Sequence, residues 1–222
     1  MKADQIRKVP LFSTLTDEEF HLLQHVFISR SYRRNQVVFV EEETGNYMYL
    51  VLAGKVKVTK SSSSGKETIL AIHKAGDFFG EMSLLDGKTA PATVSAMEDS
   101  KIISVSRPDF HKYLMHNEKV LLQIIHVLCA RLREVWQTQS LSSSKAEERI
   151  RTCIFELAKK HGVQDDYGTI IDLKITHHEL AEMVGTSRET VTRVIAHLRK
   201  EGIINVDQRR LTLLDPKALL KD

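Results

Sequence analysis

The segment Ile175–Ile204, ITHHELAEMVGTSRETVTRVIAHLRKEGII, carries two helix-start signals separated by a glycine, and it constrains the fold more than any other stretch. Thr176 and Glu179 stand at capping-box spacing, so a helix is predicted to start at His177 with Leu180, Ala181 and Val184 on one apolar face. Gly185 ends it, as a residue free to adopt positive φ. Thr186 and Glu189 then repeat the spacing, and Val191, Val194, Ile195 and Leu198 fall at i, i+3, i+4 and i+7 before the stop at Gly202. Two short helices packed across a tight turn make a helix-turn-helix.

Burying those four residues leaves Ser187, Arg188, Glu189, Thr192 and Arg193 at the start and on the exposed side of the second helix. A recognition helix touches base edges with residues so placed. Arginine bonds guanine O6 and N7 together and glutamate accepts from the cytosine amino group, so the set suits a G·C-containing half-site in double-stranded DNA. Glu189 could instead only close the capping box, and a basic helical face can be merely solvated. Two capped helices with this exposed set together favour DNA binding.

SRETVTR, with the glycine-rich segment Gly76–Ala96, GDFFGEMSLLDGKTAPATVSA, resembles the CRP/FNR family of bacterial transcription regulators, and the resemblance covers nearly the whole chain. It implies base contacts from Arg188, Glu189 and Arg193, which match the Arg-Glu-x-x-x-Arg pattern of the cyclic-AMP receptor branch, and DNA backbone contacts from Ser187 and Thr190. That branch reads TGTGA-like half-sites. The FNR branch, which reads TTGAT, has a non-arginine where Arg188 stands. The resemblance also implies a homodimer, RNA polymerase as a partner and a small-molecule effector.

The glycine-rich segment is similar to the phosphate-binding cassette of cyclic-nucleotide-binding domains, where a Gly-Glu pair holds ribose and an arginine in an Arg-Ser/Thr-Ala run neutralises the phosphate. Gly80, Glu81 and Ala92 match, but Ala90 stands at the arginine position and Pro91 at the hydroxyl position. This removes a charge-assisted donor and a backbone N–H. Lys88, two residues away, is a flexible point charge and a poor replacement. The receptor branch caps the adenine with a Thr-Ser pair whose positions fall here at Val135 and Trp136. An effector pocket built on Gly80, Glu81, Val135 and Trp136 has lost polar partners at both ends, so the expected effector is more apolar than cyclic AMP or cyclic GMP, or absent.

The chain reads as α+β: an N-terminal antiparallel β-roll sensor (1–116), a dimerisation helix (117–140) and a C-terminal winged helix-turn-helix (141–222). Residues 1 to about 30 read as short helices, with a capping box at Thr16 and Glu19 and an apolar face from Phe20, Leu22, Leu23 and Val26. From about Gln36 to Val105 short alternating and β-branched runs, such as YMYLVLAGKVKVTK and KIISVS, are punctuated by glycines, as in a barrel or jelly roll. Ser61–Ser64 with Gly65 is an exposed hairpin tip.

A long helix follows from about Asn117 to Gln139. Leu121, Ile125, Leu128, Leu132 and Val135 have the four–three spacing of a two-stranded coiled-coil seam, and Val120, Ile124 and Val127 form a neighbouring stripe suited to pack on the barrel. Burial of one wide face within a single subunit is the competing reading. Ser140–Ala146 is the linker, Arg149–Lys160 is a further amphipathic helix through Ile150, Ile154, Phe155 and Leu157, and IINVDQRRLTLLD suits a wing hairpin. Arg209 and Arg210 at its tip could reach phosphates.

At 222 residues with net charge +3, only the clustering of Arg188, Arg193, Arg199 and Lys200 on one helix gives a nucleic-acid footprint. No apolar run is long enough to span a bilayer and MKADQIRKVPLF lacks a signal-peptide core, so a cytoplasmic protein without a membrane partner is expected. Cys129 and Cys153 are too few and too isolated for a disulfide framework, a cysteine-rich zinc site or FNR-type iron–sulfur ligation, and both are expected to be small buried thiols, with redox sensing a minor option. No metal site is expected. Haem sensing of nitric oxide or carbon monoxide stays open through the ten histidines, His73 before the cassette and His126 on the long helix above all. The rival from another class is a ligand-binding regulatory module of an enzyme, which leaves the Arg188, Glu189 and Arg193 surface without a purpose. An enzyme in its own right lacks a nucleophile–base set, and no catalytic residue is expected.

Overall fold

The computed structural model describes residues 6–220 except 8, 64, 141–143, 208 and 209, and the backbone alone at 137–140. Residues 141–143 of the expected linker and the wing-tip Arg209 thus lie outside the described residues. The chain divides into two compact units, Met1–Glu134 and Val135–Asp222.

The first unit holds strands β1 (Ile28–Tyr32), β2 (Val37–Phe39), β3 (Tyr47–Ala53), β4 (Lys55–Ser61), β5 (Glu67–Lys74), β6 (Phe78–Phe79), β7 (Thr93–Ala96) and β8 (Ser100–Ser106). They form two antiparallel sheets, ordered β1-β8-β3-β6 and β2-β7-β4-β5. The two-residue period explains the layers. Val51, Val56, Val94 and Ile102 join one buried cluster drawn from both sheets. Their neighbours Leu50, Ile103 and Val105 join a second cluster, where N-terminal Phe12, Phe20 and Phe27 and the long helix Glu118–Ser140 cover the first sheet through Val120 and Ile124. β8 is therefore apolar on both faces and reads as a run. β4 has one open face and reads as KVKVTK.

Two expectations are corrected here. β1 is a strand although the sequence suggested helices to about residue 30: of ISRSY only Tyr32 is buried, so neither period is written into it. Cys129 is exposed on the long helix, where a buried thiol was expected, whereas burial pushes the Cys153 thiol up to about 12.

In the second unit the linking helix Ala146–His161 buries Ile150, Ile154 and Leu157. It leads into β9 (Gly162–Asp165) and β10 (Gly168–Ile171), a hairpin the sequence did not announce because β9 is exposed throughout. Then come the helices His177–Val184 and Arg188–Lys200 and the wing strands β11 (Ile204–Asp207) and β12 (Arg210–Leu213). β10 pairs with β12, giving one antiparallel sheet, β11-β12-β10-β9.

Candidate functional site

The helix-turn-helix is locally determined. The Thr176 hydroxyl accepts from the Glu179 N–H at 3.1 Å while the Glu179 carboxylate accepts from the Thr176 N–H at 2.8 Å, so the first helix starts at His177 as expected. Gly185 closes it at φ 66°, a backbone most residues avoid. The second cap lies one residue later than the spacing suggested. Thr186 donates its N–H to the Ala181 carbonyl at 3.0 Å and is thereby part of the turn, and Ser187 caps the recognition helix by accepting from the Thr190 N–H at 3.1 Å. Glu189 is thus the second residue of the helix and closes no capping box.

Val191, Val194, Ile195 and Leu198 are buried, and Ser187, Arg188, Glu189, Thr192 and Arg193 are exposed together on the opposite face. Thr190 is half-buried, its hydroxyl 3.0 Å from that of Ser187. A hydrogen bond from its own backbone N–H, then one from the Ser187 hydroxyl, lowers the pKa of the Glu189 carboxyl and keeps it an ionised acceptor. Thr192 is tied back, donating to the Arg188 carbonyl at 2.9 Å and lying 2.8 Å from His177 Nδ1. A cleft of about 440 Å³ between the first helix, the recognition helix and the wing has Arg188 on its rim. Arg210 sits at the wing, 3.9 Å from Asp172.

In the first unit, the cassette turn enters the short helix Glu81–Asp86 through Gly80 at φ 79°, where a Cβ would lie 2.9 Å from the Tyr47 carbonyl oxygen. Glu81 is buried and bound by Arg131 of the long helix at 2.8 Å. Arg131 also donates to the Phe78 carbonyl and lies over the Phe78 ring. Burial pushes the Glu81 carboxyl up against the downward pull of Arg131. Arg107 fastens the same turn from another side, donating to the Gly45 carbonyl at 2.6 Å and the Ser83 carbonyl at 2.8 Å.

Neither arginine was singled out from the sequence. The signal for Arg131 was there: it continues the buried stripe Val120, Ile124, Val127, and a guanidinium on such a stripe needs an acid to meet.

Ala90 is buried, and its N–H and C=O are both spent on the Glu41–Glu43 segment, bonding the Glu43 carbonyl at 2.8 Å and the Glu42 N–H at 2.9 Å. The backbone of the Glu41–Glu43 segment therefore runs beside Ala90. Pro91 and Lys88 are exposed, and so are Val135 and Trp136 on the long helix. Neither Ala90 nor Pro91 offers a side-chain donor to an anion. His73 is buried with its ring stacked on Phe79, centroids 5.8 Å apart, and His126 is exposed. Among the described residues no group of three or more His, Cys, Asp or Glu is arranged to hold a metal ion, and no helix is long and apolar enough to cross a membrane.

A cyclic nucleotide-binding domain model matches residues 29–117 and a Crp-like helix-turn-helix domain model matches 148–221. The cyclic AMP receptor protein of Thermus thermophilus is 33% identical over 215 residues, covering 94% of this chain and 96% of its own. The chain belongs to the CRP/FNR family of transcription regulators. Among solved members, FixK2 from Bradyrhizobium japonicum superposes on this regulator with a TM-score of 0.77 at 25% identity, covering 87% of this chain and 96% of its own. A CooA mutant from Carboxydothermus hydrogenoformans gives 0.76 at 26%, covering 90% and 88%. The N-terminal domain of this CRP/FNR member is thus a cyclic-nucleotide-binding-like roll, and its helix-turn-helix is a DNA-binding domain.

Proposed function

We propose that this regulator is a cytoplasmic homodimer that reads a palindromic TGTGA-like site, with Arg188, Glu189 and Arg193 on base edges and Ser187 and Thr190 on the backbone. The observation that carries the reading is the joint exposure of those three charged residues on the first turns of a capped recognition helix. Residues 1–116 act as sensor, 117–140 as dimer helix and 141–222 as DNA-binding module, with RNA polymerase as the downstream partner. An effector acts by shifting the population toward the geometry in which two recognition helices lie one duplex turn, roughly 34 Å, apart.

That effector is not a cyclic nucleotide, although the Thermus relative is named for cyclic AMP. Glu81 is already bound by Arg131, and Ala90 brings no charge to a phosphate. Haem sensing draws no support from His73, whose ring packs on Phe79. Fluorescence anisotropy on labelled duplexes tests the DNA reading: two subunits should bind one TGTGA palindrome, more tightly than a TTGAT palindrome. Equal affinity for both, or for scrambled DNA, refutes it.

A further inference from the structure

Thr192 stands between Arg188 and Arg193 on the exposed face of the recognition helix, and its hydroxyl is held from two sides. It donates to the Arg188 carbonyl at 2.9 Å and lies 2.8 Å from Nδ1 of His177, the first residue of the preceding helix. A hydroxyl has one proton to give. With that proton on the Arg188 carbonyl, the His177 contact needs its hydrogen on Nδ1, so the neutral ring is the Nδ1–H tautomer and its Nε2 is a bare acceptor. Protonation leaves this chain of bonds intact and changes Nε2 alone, from an acceptor into a positively charged donor.

We propose that His177 is a proton-dependent DNA contact: its protonated Nε2 donates to a backbone phosphate beside the half-site, so DNA binding takes up a proton at His177 and tightens on acidification. This rests on the DNA reading above and adds to it a contact whose charge is set by pH.

Placement favours phosphate over base. A recognition helix enters the groove while the helix before it crosses the sugar–phosphate backbone, and His177 opens that preceding helix. The Thr192 bond fixes the half-buried ring against the edge of the base-reading face, and His177 lines the same cleft as Arg188. The ring is thus oriented before DNA arrives.

The charged groups around it are engaged elsewhere. On its own helix the Glu179 carboxylate is turned back to Thr176, and Glu182 takes His178 at 3.3 Å. The recognition helix brings Arg188, Glu189 and Arg193, with the Glu189 carboxyl bound by its own N–H and the Ser187 hydroxyl. On the linking helix Arg149 binds the Val184 carbonyl, at the far end of the first helix, and His161 is buried. Lys174 is exposed on the approach to His177, Asp207 is exposed on the wing, and Arg210 faces Asp172 at 3.9 Å. Among the described residues no carboxylate pairs with His177, so its Nε2 has an anion to gain from DNA and none to give up.

Fluorescence anisotropy of the full chain on a labelled TGTGA palindrome, at about pH 8 and about pH 6 over a range of salt, reads this proton. The native chain should bind several-fold more tightly at the lower pH, and the slope of log affinity against log salt should steepen by about 0.9 for each phosphate gained. His177→Asn keeps a donor for Thr192 and cannot gain charge, so it should lose both changes. His177→Gln, which likewise stays neutral, should do the same. His178→Asn should keep both changes; their loss there as well would move the proton to the His178–Glu182 pair and overturn the assignment. A native chain that does not tighten, or one that tightens no more than the two His177 variants, overturns this contact and leaves the DNA reading standing. Equal affinity for the palindrome and for scrambled DNA at both pH values overturns the DNA reading, and this contact with it.

Discussion

Arg131 on the long helix reaches Glu81 on the cassette helix, with guanidinium and carboxylate 2.8 Å apart and Glu81 at only 3% side-chain exposure. The pair joins the element that would report dimer geometry to the turn that would report effector binding. Removing one partner of a buried pair leaves an uncompensated charge, so Arg131→Leu should cost roughly 3 kcal/mol in urea unfolding at neutral pH. Glu81 is an acid whose folded pKa is raised by burial, and without Arg131 it rises further. Such a group destabilises the fold as pH rises from its unfolded value near 4.5 through the raised folded value. The gap between wild type and Arg131→Leu should therefore narrow on acidification toward that value. A gap that stays constant or widens would show that the carboxylate is not what Arg131 compensates.

The recognition helix begins one residue later than the capping spacing indicates, and the two candidate caps can be separated. Ser187→Ala removes the acceptor for the Thr190 N–H and should cost about 1 kcal/mol. Thr186→Ala removes no cap and should stay within about 0.5 kcal/mol, as surface changes usually do. Thermal unfolding of both variants decides it. The reverse order would restore Thr186 as the cap.

The first cap, the recognition-helix core and the strands were legible in the sequence because each is written in a local code, a spacing of three residues or a period of two or 3.6. The Thr186 misreading shows the limit of that code. S/T-x-x-E spacing is satisfied from residue 186, but the Gly185 turn takes the Thr186 N–H before a cap can form. β1 and β9 were illegible because they expose most of both faces and are held by backbone pairing, β1 with the distant β8 (Ile28 with Ser104) and β9 with the adjacent β10 (Gly162 with Ile171). Arg131 and Arg107 escaped for a related reason: their partners lie tens of residues away, and only the folded roll brings Glu81 and Gly45 to them. On the long helix, apolar spacing alone does not say which stripe the chain's own core consumes: of the expected seam, Leu128 packs partly against that core and Leu121 is half-buried, while Ile125, Leu132 and Val135 stay exposed.

Base reading and non-specific attraction make different predictions. Arg188→Ala and Arg193→Ala should each cost roughly 1–3 kcal/mol at a TGTGA palindrome and leave affinity for unrelated DNA nearly unchanged. Competition titrations at fixed salt measure both quantities. Equal losses on every sequence would reduce these arginines to phosphate contacts.

Cyclic AMP and cyclic GMP should produce no saturable heat in titration calorimetry at millimolar concentration, and neither should tighten binding to the palindrome. A phosphate entering the cassette brings a negative charge that is costly unless paired or well hydrogen-bonded. Ala90 offers a buried methyl there, and its backbone is already bonded to the segment that carries Glu41, Glu42 and Glu43. Pro91 has neither hydroxyl nor amide hydrogen, and Lys88 is exposed with its own N–H bound to Asp86 at 3.0 Å. At the ribose end a hydroxyl would have to compete with Arg131 for the Glu81 carboxylate, exchanging a charge-assisted bond for a weaker neutral one. The double change Ala90→Arg with Pro91→Ser restores the missing donors and should raise nucleotide affinity above that of the native chain. A micromolar dissociation constant in the native chain, coupled to tighter DNA binding, would instead make Arg131 or Lys88 the phosphate partner.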